Sequence, residues 1–204
     1  MSSKEISAYY DATENSKVRE DLRYAVDLVH GERIAIDCGC GAGSDIAFLR
    51  SKGFTVYGFD VEEESIKRCA KRYGSDDKVF LSCSDFSSYI YPEASLVVAD
   101  ASLFFCPPSQ FEKVWSDICC SLNPNQGVFC GSFLGPEDTM ASSQYDKEAF
   151  WPEVNVFTEE KLKAIFADFN VEKWQEHRVS GQTSEGEPHN WHLFSVVATK
   201  QKQS

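Results

Sequence analysis

The stretch Ala35–Leu49, AIDCGCGAGSDIAFL, decides how this chain is read. Gly39, Gly41 and Gly43 fall at alternate positions, with Ile34, Ala35 and Ile36 before them and Ile46, Ala47, Phe48 and Leu49 after. An apolar run, a glycine cluster and a second apolar run read as strand, tight turn and helix. A turn of this kind brings bare backbone against a ligand, because glycine carries no Cβ. A P-loop requires Lys and then Ser or Thr after its last glycine, whereas Gly43 is followed by Ser44 and Asp45. The dinucleotide fingerprint G-x-G-x-x-G puts Ser44 or Ile46 where its third glycine belongs. Asp37, just before the turn, would also set a carboxylate against a pyrophosphate. A cation suits Asp37 better.

Outward from the turn, strands and helices alternate. Periodicity predicts a helix over 16–30, stopped by Gly31, then a strand over 33–38 and a helix from the turn to about Ser51. A strand over 54–59 ends on Asp60, and a helix over 62–73 is closed by Gly74. Further strands are expected over 78–83, 94–100 and 128–135, with a helix over 109–122 between the last two. Thr158 opens a helix over 158–166, and strands over 171–179 and 191–199 finish the pattern. Repeating β-α units imply a mostly parallel sheet with helices on both faces. The short final connection implies that the seventh strand runs antiparallel. The expectation is one α/β domain over residues 1–204. Residues 135–157, with Met140, Tyr145, Phe150 and Trp151, form an insertion after the fifth strand and read as lid-like. Residues 1–31, with Tyr9 and Tyr10, would form the other wall.

A length of 204 residues and a hydrophobic share of 42% suit one well-buried domain. The net charge of −12 makes nucleic acid and anionic membrane poor partners. The densest basic cluster, Lys67, Arg68, Lys71 and Arg72, follows Glu63 and Glu64 at helical pairing distance and reads as a solvated helix face. The eight cysteines sit mostly in apolar runs, with no C-x-x-C pair, and MSSKEISAYY carries no apolar leader. These features predict free thiols and a cytoplasmic protein with no membrane span.

The segment DCGCGAG resembles the D/E-x-G-x-G-x-G motif of class I S-adenosylmethionine-dependent methyltransferases. The likeness continues in VYGFD, with an acid ending the second strand, in CSDF, in VVADASLFFCPP and in the strand after LNPNQG. Within the family it is most similar to small bacterial tellurite-resistance and thiopurine-type methyltransferases, through YYDATENSKVREDL, FCGSFLGPEDTM and HNWHLFSVVA. The resemblance implies a Rossmann-like fold and S-adenosyl-L-methionine as cofactor. It implies that Gly39, Cys40, Gly41 and Gly43 approach the cofactor, and that Asp37 orients the turn or meets the ammonium. By the same likeness Asp60, followed by Val61, accepts the ribose hydroxyls. Asp85 takes the adenine amine, with Phe86 at the ring edge. Asp100 and Ala101 face the methionine part, and Arg19 meets its carboxylate. Tyr9 and Tyr10 are placed to close over the sulfonium.

Methyl transfer needs alignment and desolvation more than a catalytic constellation. The Asn/Asp-Pro-Pro-Tyr element is absent: the fourth strand ends Asp100-Ala101-Ser102-Leu103. With the charge, this points to a small-molecule methyl acceptor. If the last strand is antiparallel, His189, Trp191 and His192 lie at the ligand edge of the sheet. His189, His192 and Tyr10 are the candidate proton-transfer groups. A spacing of three on a strand points the two histidines to opposite faces, against a metal site. His30 reads as a helix C-cap and His177 as a structural or exposed strand residue. Two other readings compete: a non-catalytic S-adenosylmethionine-binding sensor or partner protein, and a dinucleotide-dependent reductase, against which Ser44 argues.

Overall fold

The computed structural model describes residues 3–124, 126–143, 153–183 and 186–201. Five strands alternate with helices: β1 Ile34–Cys38, β2 Thr55–Asp60, β3 Val79–Cys83, β4 Leu96–Ala99 and β5 Val128–Leu134. Two long strands, β6 Phe169–Gln182 and β7 Pro188–Lys200, close the chain as a hairpin. The helices are α1 Ser3–Thr13, α2 Glu20–Leu28, α3 Ser44–Ser51, α4 Glu63–Tyr73, α5 Pro108–Ser121 and α6 Glu159–Ile165. The sheet order is β3-β2-β1-β4-β5-β7-β6. β1 to β5 pair in parallel, and β7 lies antiparallel between β5 and β6.

Alternate side chains of β1, β4 and β5 feed two cores, as a pleat requires. Ile36, Val97, Ala99, Phe129 and Phe133 pack with α5 and α6 around Trp115, Phe157 and Phe166. Ala35, Leu96, Val98, Val128 and Cys130 face Leu22 and Val26 of α2 and Ile46 and Leu49 of α3. Both faces of β4 and β5 are buried, so these strands are apolar throughout rather than alternating.

The predicted elements are all present, with shifted ends. The first predicted helix begins at Glu20 rather than Ser16 and ends at Leu28, so its C-cap is Val29 and His30 is an exposed residue beyond it. Gly31 supplies the left-handed backbone there, at φ +83°. Thr158 caps α6 by accepting the Lys161 N–H at 3.2 Å, as its sequence position implies. His177 is exposed on β6. Helix α1 was not predicted. The final loop is shorter than expected, because β6 and β7 extend well past the predicted strand ends.

All eight cysteines are free. No helix among the described residues is long and apolar enough to cross a membrane. Both ends of the 135–157 insertion are fastened to the sheet: Gly135 N–H donates to the His192 carbonyl, and Phe157 N–H to the Leu134 carbonyl. Tyr145, Phe150 and Trp151 lie outside the described residues.

Candidate cofactor-binding site

The strand order reverses direction between β1 and β4, and in open α/β sheets ligands bind at that point, beyond the carboxyl ends of the strands. The glycine turn leaves β1 there. Gly39, Gly41 and Gly43 all have positive φ, at +72°, +52° and +81°. Packing adds a second demand. A Cβ on Gly39 would lie 2.6 Å from the Ser102 Cβ, and one on Gly43 would lie 2.9 Å from the Cys69 sulfur. The bare faces of these two glycines are therefore pressed against protein, which refines the expectation that they clear a ligand.

The turn is held from below by one face of α4, a feature the sequence reading missed. Ser65 Oγ donates to the Gly41 carbonyl at 2.6 Å and Cys69 Sγ to the same oxygen at 3.4 Å. Arg72 Nη1 donates to the Ala42 carbonyl at 3.0 Å, and the Tyr73 hydroxyl to the Gly43 carbonyl at 2.8 Å. Three successive carbonyls thus point at α4. The residues that meet them recur at the i, i+4, i+7 and i+8 spacing of one helix face. That periodicity was the available signal. The cluster read as solvated does pair Glu63 with Lys67 and Glu64 with Arg68. Arg68 and Arg72 also reach inward, which corrects that reading.

The acids at the strand ends converge on this turn. Asp60, closing β2, accepts the Gly41 N–H on Oδ2 and the Glu62 N–H on Oδ1, each at 2.9 Å. Asp37 is buried, and its Oδ2 has no hydrogen-bond partner among the described residues. Burial, then the neighbouring Asp45 charge, hold its carboxyl well above the usual range. Arg19, at the N-cap of α2, pairs through Nη2 with Asp45 at 2.8 Å and through Nε with Asp100 at 2.9 Å. Burial opposes its charge, but Asp100 and Asp45 outweigh that and raise its pKa. Burial raises the Asp100 pKa against the pull of Arg19. Ala101 has a left-handed φ of +46°, and its N–H is held by Ser132 Oγ at 2.8 Å. Asp45, Ser102 and Ser132 were not singled out in the sequence, because their partners Arg19, Cys38 and Ala101 are more than twenty-five positions away.

Other predicted positions are more peripheral. Cys40 is buried, and its N–H is spent on the Phe59 carbonyl. Val61 is exposed just after Asp60. Asp85 is exposed, and Oδ1 accepts backbone and hydroxyl bonds from both Ser87 and Ser88. Burial opposes these bonds, yet they keep its carboxyl below the usual range. Phe86 meets Phe59 edge to face, with ring centres 5.5 Å apart. Tyr10 is buried over the turn, 3.8 Å from where a Gly41 Cβ would stand. Burial and then the Asp60 charge keep its phenol protonated, which suits a wall or a donor and not a base.

The two histidines differ sharply. His192 is buried, accepts the Glu137 N–H on Nδ1 at 3.0 Å and meets Glu176 through Nε2 at 2.9 Å. Both ring nitrogens are in use, which leaves neither for proton transfer. His189 meets the buried Asp138 at 3.2 Å and lies tilted against Trp191, ring centres 4.7 Å apart. The β4–β5–β7 register aligns Ala99 with Gly131 and Gly131 with Val196. At about 3.3 Å per residue, the strand path puts His189 roughly 20 Å past the level of Asp100. The two histidines are at the predicted edge but not beside the acids.

Residues 35–125 match the family model described as Methyltransferase domain. Carboxy-S-adenosyl-L-methionine synthase of Haemophilus ducreyi is 31% identical over 96 residues, which covers 44% of this chain and 39% of that protein. The chain thus spans about two fifths of the length of the curated relatives it matches. Among solved structures, TehB from Haemophilus influenzae superposes with a TM-score of 0.75 at 16% identity, over 96% of this chain and 67% of that one. The 1,6-didemethyltoxoflavin-N1-methyltransferase of Burkholderia thailandensis, solved with S-adenosylhomocysteine, gives 0.65 at 20% identity over 98% and 87%. At these identities the structural likeness is one of fold. Over residues 35–125 the sequence is similar to a methyltransferase domain, and the whole sheet shares the fold of solved methyltransferases.

Proposed function

We propose that this protein binds S-adenosylmethionine at the carboxyl edge of β1, β2 and β4 and transfers its methyl group to a small-molecule acceptor. The observation that carries the reading is Asp37 Oδ2, a buried carboxylate oxygen without a partner among the described residues, beside a glycine turn at the switch point of the sheet. An uncompensated buried acid is costly unless a cation meets it. An α-ammonium is such a cation, so the donor set fits the family's cofactor.

The remaining roles follow from the donors left open. Arg19 spends Nε and Nη2 on Asp100 and Asp45, and among the described residues Nη1 is the donor left for a carboxylate. Asp60 keeps Gly41 in register and presents its remaining acceptor capacity to ribose hydroxyls. Asp85 offers Oδ2 to an exocyclic amine while Oδ1 holds its own turn. Tyr9 and Tyr10 wall the site from α1. The Asp100 and Asp60 charges, after burial, raise the Tyr9 phenol. S-adenosylmethionine supplies an already activated methyl on a sulfonium. The chain's part is to hold, orient and exclude water, and no side-chain base is assigned. The B. thailandensis enzyme acts on a small molecule, as its name states, and this favours a small acceptor here. The net charge of −12 favours the same class over nucleic acid.

Calorimetric titration with S-adenosylhomocysteine tests the site, followed by an acceptor screen that reads its formation from S-adenosylmethionine. Micromolar binding, about −8 kcal/mol, is expected. A folded protein that binds neither molecule would overturn the reading.

A further inference from the structure

We propose that Arg68 on α4, supported by Arg72, latches helix α1 over the glycine turn, so that a bound cofactor leaves only when this latch opens. The inference rests on the reading of the turn as an S-adenosylmethionine site and adds the element that controls residence there.

The latch is built from side chains of one helix gripping another. Arg68 reaches Asp11 at 2.6 Å through Nη1, and Ser7 Oγ at 2.7 Å and the Ser7 carbonyl at 3.4 Å through Nη2. Glu64, one turn back on α4, fixes Nε at 2.9 Å and so aims the guanidinium at α1. The same guanidinium lies 5.8 Å from the centre of the Tyr10 ring, which covers Gly41. Arg72 ties the far end of the strap: its Nη1 donates to the Glu14 carbonyl at 3.1 Å and to the turn carbonyl of Ala42 at 3.0 Å. One cation therefore joins the strap to the turn itself. Among the described side chains of α1, residues 7–13, these groups are the main tie to the rest of the chain. Tyr9 is half-exposed, Tyr10 is the buried apolar anchor among residues 7–13, and the other close packing is with α4. A helix of 11 residues is marginal by itself in water, so its place depends on these contacts.

The latch is also releasable. Asp11 is 69% exposed and Arg68 19% exposed, so salt screens their attraction. A strap held by buried apolar surface would not respond to salt in this way.

The test is the dissociation rate of S-adenosylhomocysteine from the whole protein, for wild type, Arg68→Ala, Asp11→Ala and the double variant. Each single change is expected to speed release about threefold or more, the scale of one partly exposed ion pair. The double variant should add little to Arg68→Ala, because the Asp11 bond is among those that Arg68→Ala already removes. Wild-type release should quicken between low and high salt, the variants' much less, and Arg68→Lys should recover part of the loss. In the ligand-free protein, amide exchange over residues 7–14 should rise in both variants while the strands stay protected. Unchanged release and unchanged exchange would overturn the latch. If the folded wild type binds no S-adenosylhomocysteine, the site reading fails, and exchange over α1 still decides whether Arg68 holds the strap.

Discussion

Asp37 is a carboxylate that the fold tolerates at a cost, and its removal should separate stability from binding. Its folded pKa is raised by burial and Asp45, so the folded state holds this proton more tightly than the unfolded chain. The associated stability is complete below the unfolded pKa and is lost as pH rises through the folded one. Asp37→Asn removes that loss. The variant's urea midpoint should exceed wild type at neutral pH and converge with it toward pH 4. Its affinity for S-adenosylhomocysteine should fall about tenfold or more, through the lost partner for the ammonium. Asp60→Asn should fail differently. It sets an amide NH2 against one of the N–H groups of Gly41 and Glu62, so binding and the urea midpoint should fall together. Gly39→Ala tests the turn geometry. The new Cβ meets Ser102 at 2.6 Å and φ is +72°, so destabilisation of about 1–3 kcal/mol is expected from urea unfolding. Adding Ser102→Gly should relieve the clash, keep the strain, and so recover only part.

Elements whose stability is local were legible; those that rest on distant partners were not. β1, the glycine turn and α3 were readable because apolar run, positive-φ glycines and apolar run each act within a few residues. Helix α1 was invisible because it is held by arginines more than fifty positions later. The acids at the strand ends were readable as positions. Their wiring was not: Asp45 reaches Arg19 across a domain face, and Ser132 reaches Ala101 from the next strand. The insertion after β5 shows the same limit. Its lid-like reading took no account of Asp138, which is buried and ties that segment to β7. Its Oδ1 meets the Met140 N–H at 2.9 Å and the His189 ring, and its Oδ2 accepts the His192 N–H at 2.9 Å. Asp138→Ala strands those donors in a buried place. It should cost about 2–4 kcal/mol in urea unfolding, with cofactor affinity held within about threefold. A large loss of affinity instead would move the β7 histidines into the binding machinery.

At the scale of the whole molecule, the placement of eight thiols reports whether the two cores are packed as described. Cysteine in an apolar run behaves as a small hydrophobe, and here five of the eight are buried: Cys38, Cys40, Cys69, Cys106 and Cys130. They are spread over β1, the glycine turn, α4, the segment after β4 and β5, so together they sample both faces of the sheet. Burial raises the pKa of Cys38, and those of Cys106 to about 11 and Cys130 to about 12, which leaves almost no thiolate near neutral pH. Cys83 and Cys120 are exposed, and Cys119 lies between, with burial raising its pKa to about 11. Titration of the native protein with a thiol reagent at neutral pH should therefore show two fast groups, Cys83 and Cys120, with the rest reacting only on unfolding. Cys69 is the informative exception. Its hydrogen bond with Cys40 lowers its pKa against burial, and its place beneath the turn and α1 shields it from reagent. A third reactive thiol that maps to Cys69, and that Arg68→Ala accelerates, would show the strap opening. Five fast thiols would mean that the sheet is not covered on both faces.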